Sequence, residues 1–364
     1  MSSLQLYVWG PALNTPSIDP KCIVVQSYLN LIKQEYTIVK CNDPQLSPTG
    51  ELPLLKDGSV WVAGVDRILT HLSKHKKDAN ADLSPEEKAD YLAYSALAQS
   101  NLYDVMLYTW YADSTNFIKV IRPTYAKLLS FPTRYIIPIQ LRNNAQARLS
   151  RHKVEIISDD VGLPQNEKEE MKELLKSGWH HMYRLARDTY TTLQAQLGDK
   201  KYFFGENLTT LDCILFGYLA LHLYPDLPHK RLQYILVNEY PTLSQYCDRV
   251  RDALHPSGQA PIESNPSEDV PSLWKTFTSN PLGFFSSVKS DIVSYMRSNE
   301  EKKEKSQAQI DFERKRIWSI AGGVTFMLAY IIYNGIISLE VQNEEDEEYY
   351  EDDENDYYYE DDEN

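Results

Sequence analysis

Cysteine is scarce in this chain and badly spaced for chemistry. Only Cys22, Cys41, Cys213 and Cys247 occur in 364 residues. None forms a Cys-x-x-Cys pair and none has a histidine at metal-ligand spacing, so neither a zinc site nor a redox pair is expected. The four read as reduced core thiols, and no metal or cofactor is expected. The N-terminus, MSSLQLYVWG, lacks a basic n-region and an apolar run of signal length, and no Arg-rich amphipathic presequence follows. The bulk of the chain is therefore expected in the cytosol. A nucleic-acid-binding motif is also missing.

Positive charge is absent from one region, and that region accounts for the whole imbalance. From Glu340 to Asn364 there are 15 acidic residues and no basic one. Of 52 acids, 37 remain elsewhere and face 37 bases, so the net charge of -15 belongs to the tail and the body is neutral. A neutral body disfavours nucleic acid as a partner. The tail, with five tyrosines among its carboxylates, cannot bury enough apolar surface to offset chain entropy and is expected to be disordered. It reads either as a solubilising appendage or as a docking strip for basic partners.

Charge of either sign is missing from Ile317 to Leu339, IWSIAGGVTFMLAYIIYNGIISL. These 23 residues make about 34 Å of helix, enough to cross a bilayer core. Arg314, Lys315 and Arg316 precede the run and Glu340 follows it. The positive-inside tendency then puts the large N-terminal part in the cytosol and the tail across the membrane, in a tail-anchored arrangement. Gly322 and Gly323 give the span a small-residue face on which another helix or a barrel wall can pack, though glycine is common in spans generally.

The N-terminal region reads as strand, helix, strand, strand, strand, helix. Leu4 to Trp9 is a short apolar strand, and Ser17 to Pro20 opens a helix that Ser17 or Asp19 can cap. Cys22, Val25, Tyr28, Leu29 and Ile32 follow at helical spacing. Tyr36 to Cys41 is a second strand. Leu54-Leu55 and Val60 to Val62 form a hairpin across Asp57-Gly58, where glycine supplies the positive φ of the turn. A helix from Val65 to Lys74 turns Ile68, Leu69 and Leu72 inward.

From Ser84 the chain becomes helical. Ser84-Pro85-Glu86-Glu87 is a capped start, with Tyr91, Tyr94, Leu97, Ala98, Leu102, Val105 and Met106 carrying the period. Glu167 to Leu197 is a long helix ended by Gly198. Thr209-x-x-Asp212 is a capping box ahead of an apolar helix, with Thr209 accepting from first-turn amides and Asp212 reaching back.

This order, with Leu52-Pro53 entering the third strand and a Phe203-Phe204-Gly205 loop before the Thr209/Asp212 box, resembles the glutathione transferase fold. The resemblance implies a thioredoxin-like N-terminal domain, an all-helical C-terminal domain and a cis bond at Pro53. A proline that merely starts an edge strand is the plainer reading. It also locates the residues for transferase chemistry: Tyr7 at the end of the first strand, or Ser17 in the following loop, as thiolate stabiliser. The acidic residue and hydroxyl that anchor the thiol peptide after the fourth strand are missing, because that position reads Val62-Ala63-Gly64-Val65. Tyr7 is therefore expected to be a packed sheet residue.

The succession Pro16-Ser17-Ile18-Asp19, Ser47-Pro48-Thr49-Gly50 with Leu52-Pro53, Ile68 to Leu72, Ala79 to Ser84, Tyr125 to Pro132, Phe203-Phe204-Gly205 and Leu211-Asp212 resembles the metaxin family over nearly the whole chain. The resemblance implies a non-enzymatic subunit of the mitochondrial outer-membrane sorting and assembly machinery, aiding insertion and release of β-barrel precursors at the cytosolic face. Its implied partners are the β-barrel insertase, a second metaxin-type subunit, the precursors themselves and the outer-membrane translocase. The implied location is the mitochondrial outer membrane, with the acidic tail in the intermembrane space. Carboxylates rather than bases follow the span, so flanking charge alone leaves the endoplasmic reticulum open. A tail-anchored glutathione transferase and a passive structural tether are the competing readings.

Acidic residues are absent once more between Ser114 and Val154, a stretch with eight lysines and arginines interleaved with aromatics and prolines. Arg122, Lys127, Arg134, Arg142, Arg148 and Arg151 read either as a contact strip for anionic lipid or an acidic partner, or as an ordinary solvated surface. After Leu254, four prolines in eighteen residues mark a linker. Beyond it Leu282, Phe285, Val288, Ile292 and Met296 recur at helical spacing, as an amphipathic segment or a simple spacer. The expected architecture is α+β: residues 1–78 thioredoxin-like, 84–254 helical, 255–316 linker with a charged helix, 317–339 transmembrane, 340–364 acidic tail.

Overall fold

The computed structural model describes residues 4–42, 44, 47, 50–131, 133–152, 165–256 and 262–264, with backbone alone for 165–177 and 262–264. All lie in one compact unit, Met1–Thr276. The expected span with Ile317, Gly322, Gly323 and Leu339, the amphipathic segment at 282–296 and the acidic tail lie outside the described residues. Among the described residues no helix is long and apolar enough to cross a membrane.

The chain opens with β1 (Leu4–Val8), α1 (Pro20–Leu31), β2 (Thr37–Lys40), β3 (Leu54–Asp57), β4 (Val60–Ala63) and α2 (Val65–His75). The sheet order is β4-β3-β1-β2-β5, where β5 is Ile262–Ser264. β1 runs parallel to β2 and antiparallel to β3, which pairs antiparallel with β4. As a central strand β1 has neighbours on both edges, so Leu4, Leu6, Tyr7 and Val8 are all buried. Gly58 turns the β3–β4 hairpin at φ +63°, the left-handed value that favours glycine.

Strand β5 lies inside the stretch expected to be linker. It pairs parallel with β2, setting Thr37 opposite Ile262 and Val39 opposite Ser264, and so covers an otherwise open sheet edge. Three residues between Pro261 and Pro266 are too few to show a period, which hid the strand in the sequence.

Helix α3 (Pro85–Leu97) begins with a complete capping box: Glu87 N donates to Ser84 Oγ (3.2 Å) and Ser84 N donates to Glu87 Oε2 (2.8 Å). The helical path then departs from the single regular period that the sequence suggests. Wide π turns at Ala98–Leu102, Tyr108–Ala112 and Phe117–Ile121 alternate with the short helices α4 (Tyr103–Leu107) and α5 (Ser114–Asn116). Each wide turn shifts the buried stripe around the axis. The path continues through α6 (Arg122–Leu128), α7 (Thr133–Leu149) and α8 (Gln165–Leu197). Asp19, rather than Ser17, caps α1 and accepts from Cys22 N at 3.0 Å.

Helix α9 (Thr210–Leu223) is the hub of the helical part; every one of its residues is buried. It packs directly on α1, joining the sheet to the helices. At their crossing Gly217 has no room for a side chain: a Cβ there would stand 2.5 Å from Val24 Cγ2 and 2.9 Å from the Pro20 carbonyl oxygen. Helices α10 (Arg231–Glu239) and α11 (Pro241–Leu254) complete the layer around α9.

The start of α9 is held by Asp212, which is fully buried. Its carboxylate accepts from Thr209 N (2.8 Å), Thr209 Oγ1 (2.9 Å), Phe203 N (3.2 Å) and Tyr246 Oη (2.9 Å). Burial pushes the carboxyl pKa up while these donors pull it back. Asn80 Oδ1, from the segment between sheet and helices, adds a long-range cap to Thr210 N at 3.1 Å. Midway along α9, buried His222 places Nδ1 2.6 Å from Tyr190 Oη on α8 and Nε2 2.9 Å from the Leu102 carbonyl. The carbonyl can only accept, so Nε2 carries the proton and Nδ1 accepts from the tyrosine. Burial depresses the imidazole pKa to about 4.

Two predictions follow from this packing. Gly217→Ala, a gain of about 1 kcal/mol by helix propensity alone, should instead destabilise the full chain by about 1–3 kcal/mol through overpacking against α1. Chemical unfolding measures it, and a stabilised variant would refute the close-approach account. His222 is neutral when folded and takes up a proton more readily when unfolded, so its contribution is present above pH 6.5 and lost as pH falls toward 4. The loss by pH 4 is on the order of 3 kcal/mol. A His222→Gln variant should show a correspondingly flatter acid limb in its melting temperature against pH.

Candidate functional site

The transferase resemblance puts a ligand site where β1 ends, beside the entry to β3 and the start of α2. The Leu52–Pro53 peptide bond is cis. Tyr7, on the last turn of the pleat in β1, sits in register with Leu54. Its side chain is buried, its hydroxyl donates to Gln5 Oε1 at 3.3 Å, and its ring lies 5.3 Å from that of Trp61 on β4. Tyr7 is thus a packed member of the sheet.

Ser17 is more deeply committed. Its buried hydroxyl donates to the Trp9 carbonyl at 2.8 Å and accepts from Asp19 N at 3.2 Å. Thr15 reinforces the same loop through Ala12 O (2.6 Å) and Ser17 O (2.7 Å), while Asn42 Oδ1 accepts from Gly10 N at 2.7 Å. Leu13 and Asn14 take the left-handed conformation at φ +55° and +61°. The loop is therefore a closed network of hydrogen bonds, and the Ser17 oxygen has both its roles filled within it.

The anchoring position after β4 holds Gly64, which precedes α2 at φ +89° and offers no side-chain cap. The first carboxylate of α2 is Asp66, an exposed residue that accepts from Gln99 Nε2 at 3.4 Å. The buried thiols are no substitute nucleophiles, because burial pushes the pKa of Cys22, Cys213 and Cys247 up and keeps them protonated. Among the described residues no cluster of three or more His, Cys, Asp or Glu could hold a metal ion.

The six basic residues of the acid-free stretch divide into two groups. Arg142 Nε donates to the Tyr111 carbonyl (3.2 Å), with its guanidinium 4.6 Å over Phe117. Arg148 and Arg151 converge on Asp104, which is fully buried on α4. Arg148 Nε reaches Oδ1 at 2.6 Å, while Arg151 Nε and His152 Nε2 reach Oδ2 at 2.8 and 2.6 Å. Arg148 also donates to Gln99 O at 2.8 Å and stacks 4.7 Å over Tyr103. A buried carboxylate draws its counter-charges inward because leaving it unpaired costs several kcal/mol. Arg122, Lys127 and Arg134 remain exposed.

The sequence carried a signal for this cluster. Asp104 is a lone acid on an apolar helical stripe, and Arg148 and Arg151 share a helix face at a spacing of three. A second feature had none: a groove of about 870 Å³ between α8 and α10, where the Arg231 guanidinium stacks 3.8 Å over Trp179. Along it Arg187 pairs with Glu239 and Lys230 with Asp226, and His229 Nδ1 lies 2.7 Å from Asp113 Oδ2.

A family model described as outer mitochondrial membrane transport complex protein matches residues 22–142, and one described as glutathione S-transferase, C-terminal domain, matches residues 186–250. The chain is 30% identical to metaxin-1 of Macaca fascicularis over 93% of its own length and 92% of that protein's. It is 29% identical to metaxin-3 of Xenopus laevis over 71% and 78%. Among solved structures, a beta-etherase LigF from Sphingobium sp. strain SYK-6 aligns at 16% identity and a TM-score of 0.45, covering 68% of this chain and 95% of that one. With that metaxin-1 matched at 30% identity over nearly the whole of both chains, the chain belongs to the metaxin family.

Proposed function

We propose that this chain is a non-enzymatic subunit of the mitochondrial outer-membrane protein import apparatus, acting in the sorting and assembly of β-barrel precursors at the cytosolic face. Family membership and the outer-membrane transport match over residues 22–142 support the location and the general role. The observation that carries the absence of catalysis is Ser17: both hydrogen-bonding roles of its hydroxyl are filled by Trp9 and Asp19, and the neighbouring anchor position is Gly64. A thiol peptide would find neither a stabilising hydroxyl nor a carboxylate for its amine.

In this reading the work is done by equilibrium binding. The folded unit docks beside the barrel-forming insertase and a second metaxin-type subunit, with the outer-membrane translocase as a further contact, and helps hold and release precursors. The 317–339 stretch anchors it and the acidic tail projects into the intermembrane space. No acid, base or nucleophile is required.

Purification from mitochondria in gentle detergent should recover a β-barrel insertase and another metaxin with this chain; recovery of the chain alone, from another membrane, overturns the assignment. Ser17→Ala should lower stability by about 1–3 kcal/mol, since it leaves the Trp9 carbonyl and Asp19 amide without their partner. Retention on glutathione-agarose, with turnover of a chlorinated aromatic that Tyr7→Phe or Ser17→Ala abolishes, would instead establish a transferase.

A further inference from the structure

The outward side of the first turns of α7 is apolar where a solvated helix would be polar. Inward it buries Ile137, Pro138, Ala145 and Leu149. Outward, Tyr135, Ile136 and Ile139 are 59%, 53% and 43% exposed, at spacings that keep them on one side of the helix. Phe131, 57% exposed, stands edge-on to Tyr135 with ring centroids 6.4 Å apart. On the preceding turns, which pack against α7 through α6, Ile118 is likewise exposed. Contiguous apolar surface of this kind marks an interaction site.

The charges carried by this stretch have one sign. Lys127 and Arg134 flank Phe131 in sequence, Lys119 and Arg122 lie on the preceding turns, and all four are exposed. No carboxylate occurs anywhere from Ser114 to Val154. Protein–protein interface cores are depleted in lysine and set charges of opposite sign against one another. Aromatic and aliphatic side chains flanked by cations, in a stretch without a carboxylate, suit the boundary between acyl chains and anionic headgroups.

We propose that this face docks on an anionic phospholipid surface. Phe131, Tyr135, Ile136 and Ile139 enter at headgroup depth, while Arg122, Lys127 and Arg134 meet the lipid phosphates. The proposal rests on the membrane-attached reading of the chain but not on its partners, so its test is separate from co-purification. A tether to the same bilayer raises the local lipid concentration, so a face of modest intrinsic affinity suffices. The acidic tail is the rival occupant by charge; on the expected topology it lies on the opposite side of the membrane.

The test is amide hydrogen exchange of the full chain in nanodiscs of phosphatidylcholine alone, in nanodiscs with a third of the lipid anionic, and in neutral detergent. Residues 127–139 should gain protection only in the anionic discs and lose it in high salt. Lys127→Ala and Arg134→Ala should each weaken lipid association roughly fivefold, with melting temperature unchanged because both side chains are exposed. Equal exchange in all three environments overturns the proposal. So does protection in detergent that disappears when the tail carboxylates are replaced by amides, which assigns the face to the tail. Protection that appears only on adding a partner subunit assigns it to a protein interface and also overturns it.

Discussion

The absence of a side chain at Gly217 is the constraint on which the rest of the architecture depends. It lets α9 approach α1 closely enough that a Cβ would collide with both the Val24 side chain and the Pro20 carbonyl oxygen. Through that contact a small sheet, too thin to make a core of its own, shares one hydrophobic interior with the helices. The polar side chains of α9 survive burial because they are answered locally: Asp212 by four donors, and His222 by one donor and one acceptor.

Much of this was legible in the amino-acid order. The alternation of strand and helix to His75, the Asp57-Gly58 hairpin, the Ser84/Glu87 box and the reach of Asp212 back to Thr209 all follow from rules that act within a few residues. What escaped reading depends on residues far apart. Gly217 looks like any glycine in an apolar helix until Val24 is brought against it. The strand at Ile262–Ser264 exists because β2 has an open edge to pair with, and three residues carry no period of their own. The wide turns from Ala98 to Ile121 answer the packing of several helices at once.

The candidate site was legible in a different sense, because the sequence exposed it by omission. The position after β4 that should carry an acid and a hydroxyl reads Ala63-Gly64, and the structure adds that the remaining candidate hydroxyls are engaged. Ser17 holds its own loop and Tyr7 is packed in the sheet. The loop from Gly10 to Asp19 is a support for α1, and α1 carries the Gly217 contact. Ser17 serves the fold whether or not a ligand binds.

The basic stretch between Ser114 and Val154 links the interior to the surface. With no carboxylate of its own, it must draw counter-charge from elsewhere. Asp104 on α4 supplies it to Arg148 and Arg151, and backbone carbonyls take Arg142 and Arg148. These bonds secure the middle and C-terminal end of α7, leaving the apolar outward side of its first turns on a helix already fixed in place. A face presented on a fixed helix loses little conformational freedom when it meets another surface. The division of these basic residues, with Arg142, Arg148 and Arg151 tied to backbone carbonyls and to Asp104 and with Arg122, Lys127 and Arg134 left exposed, therefore serves stability and presentation together.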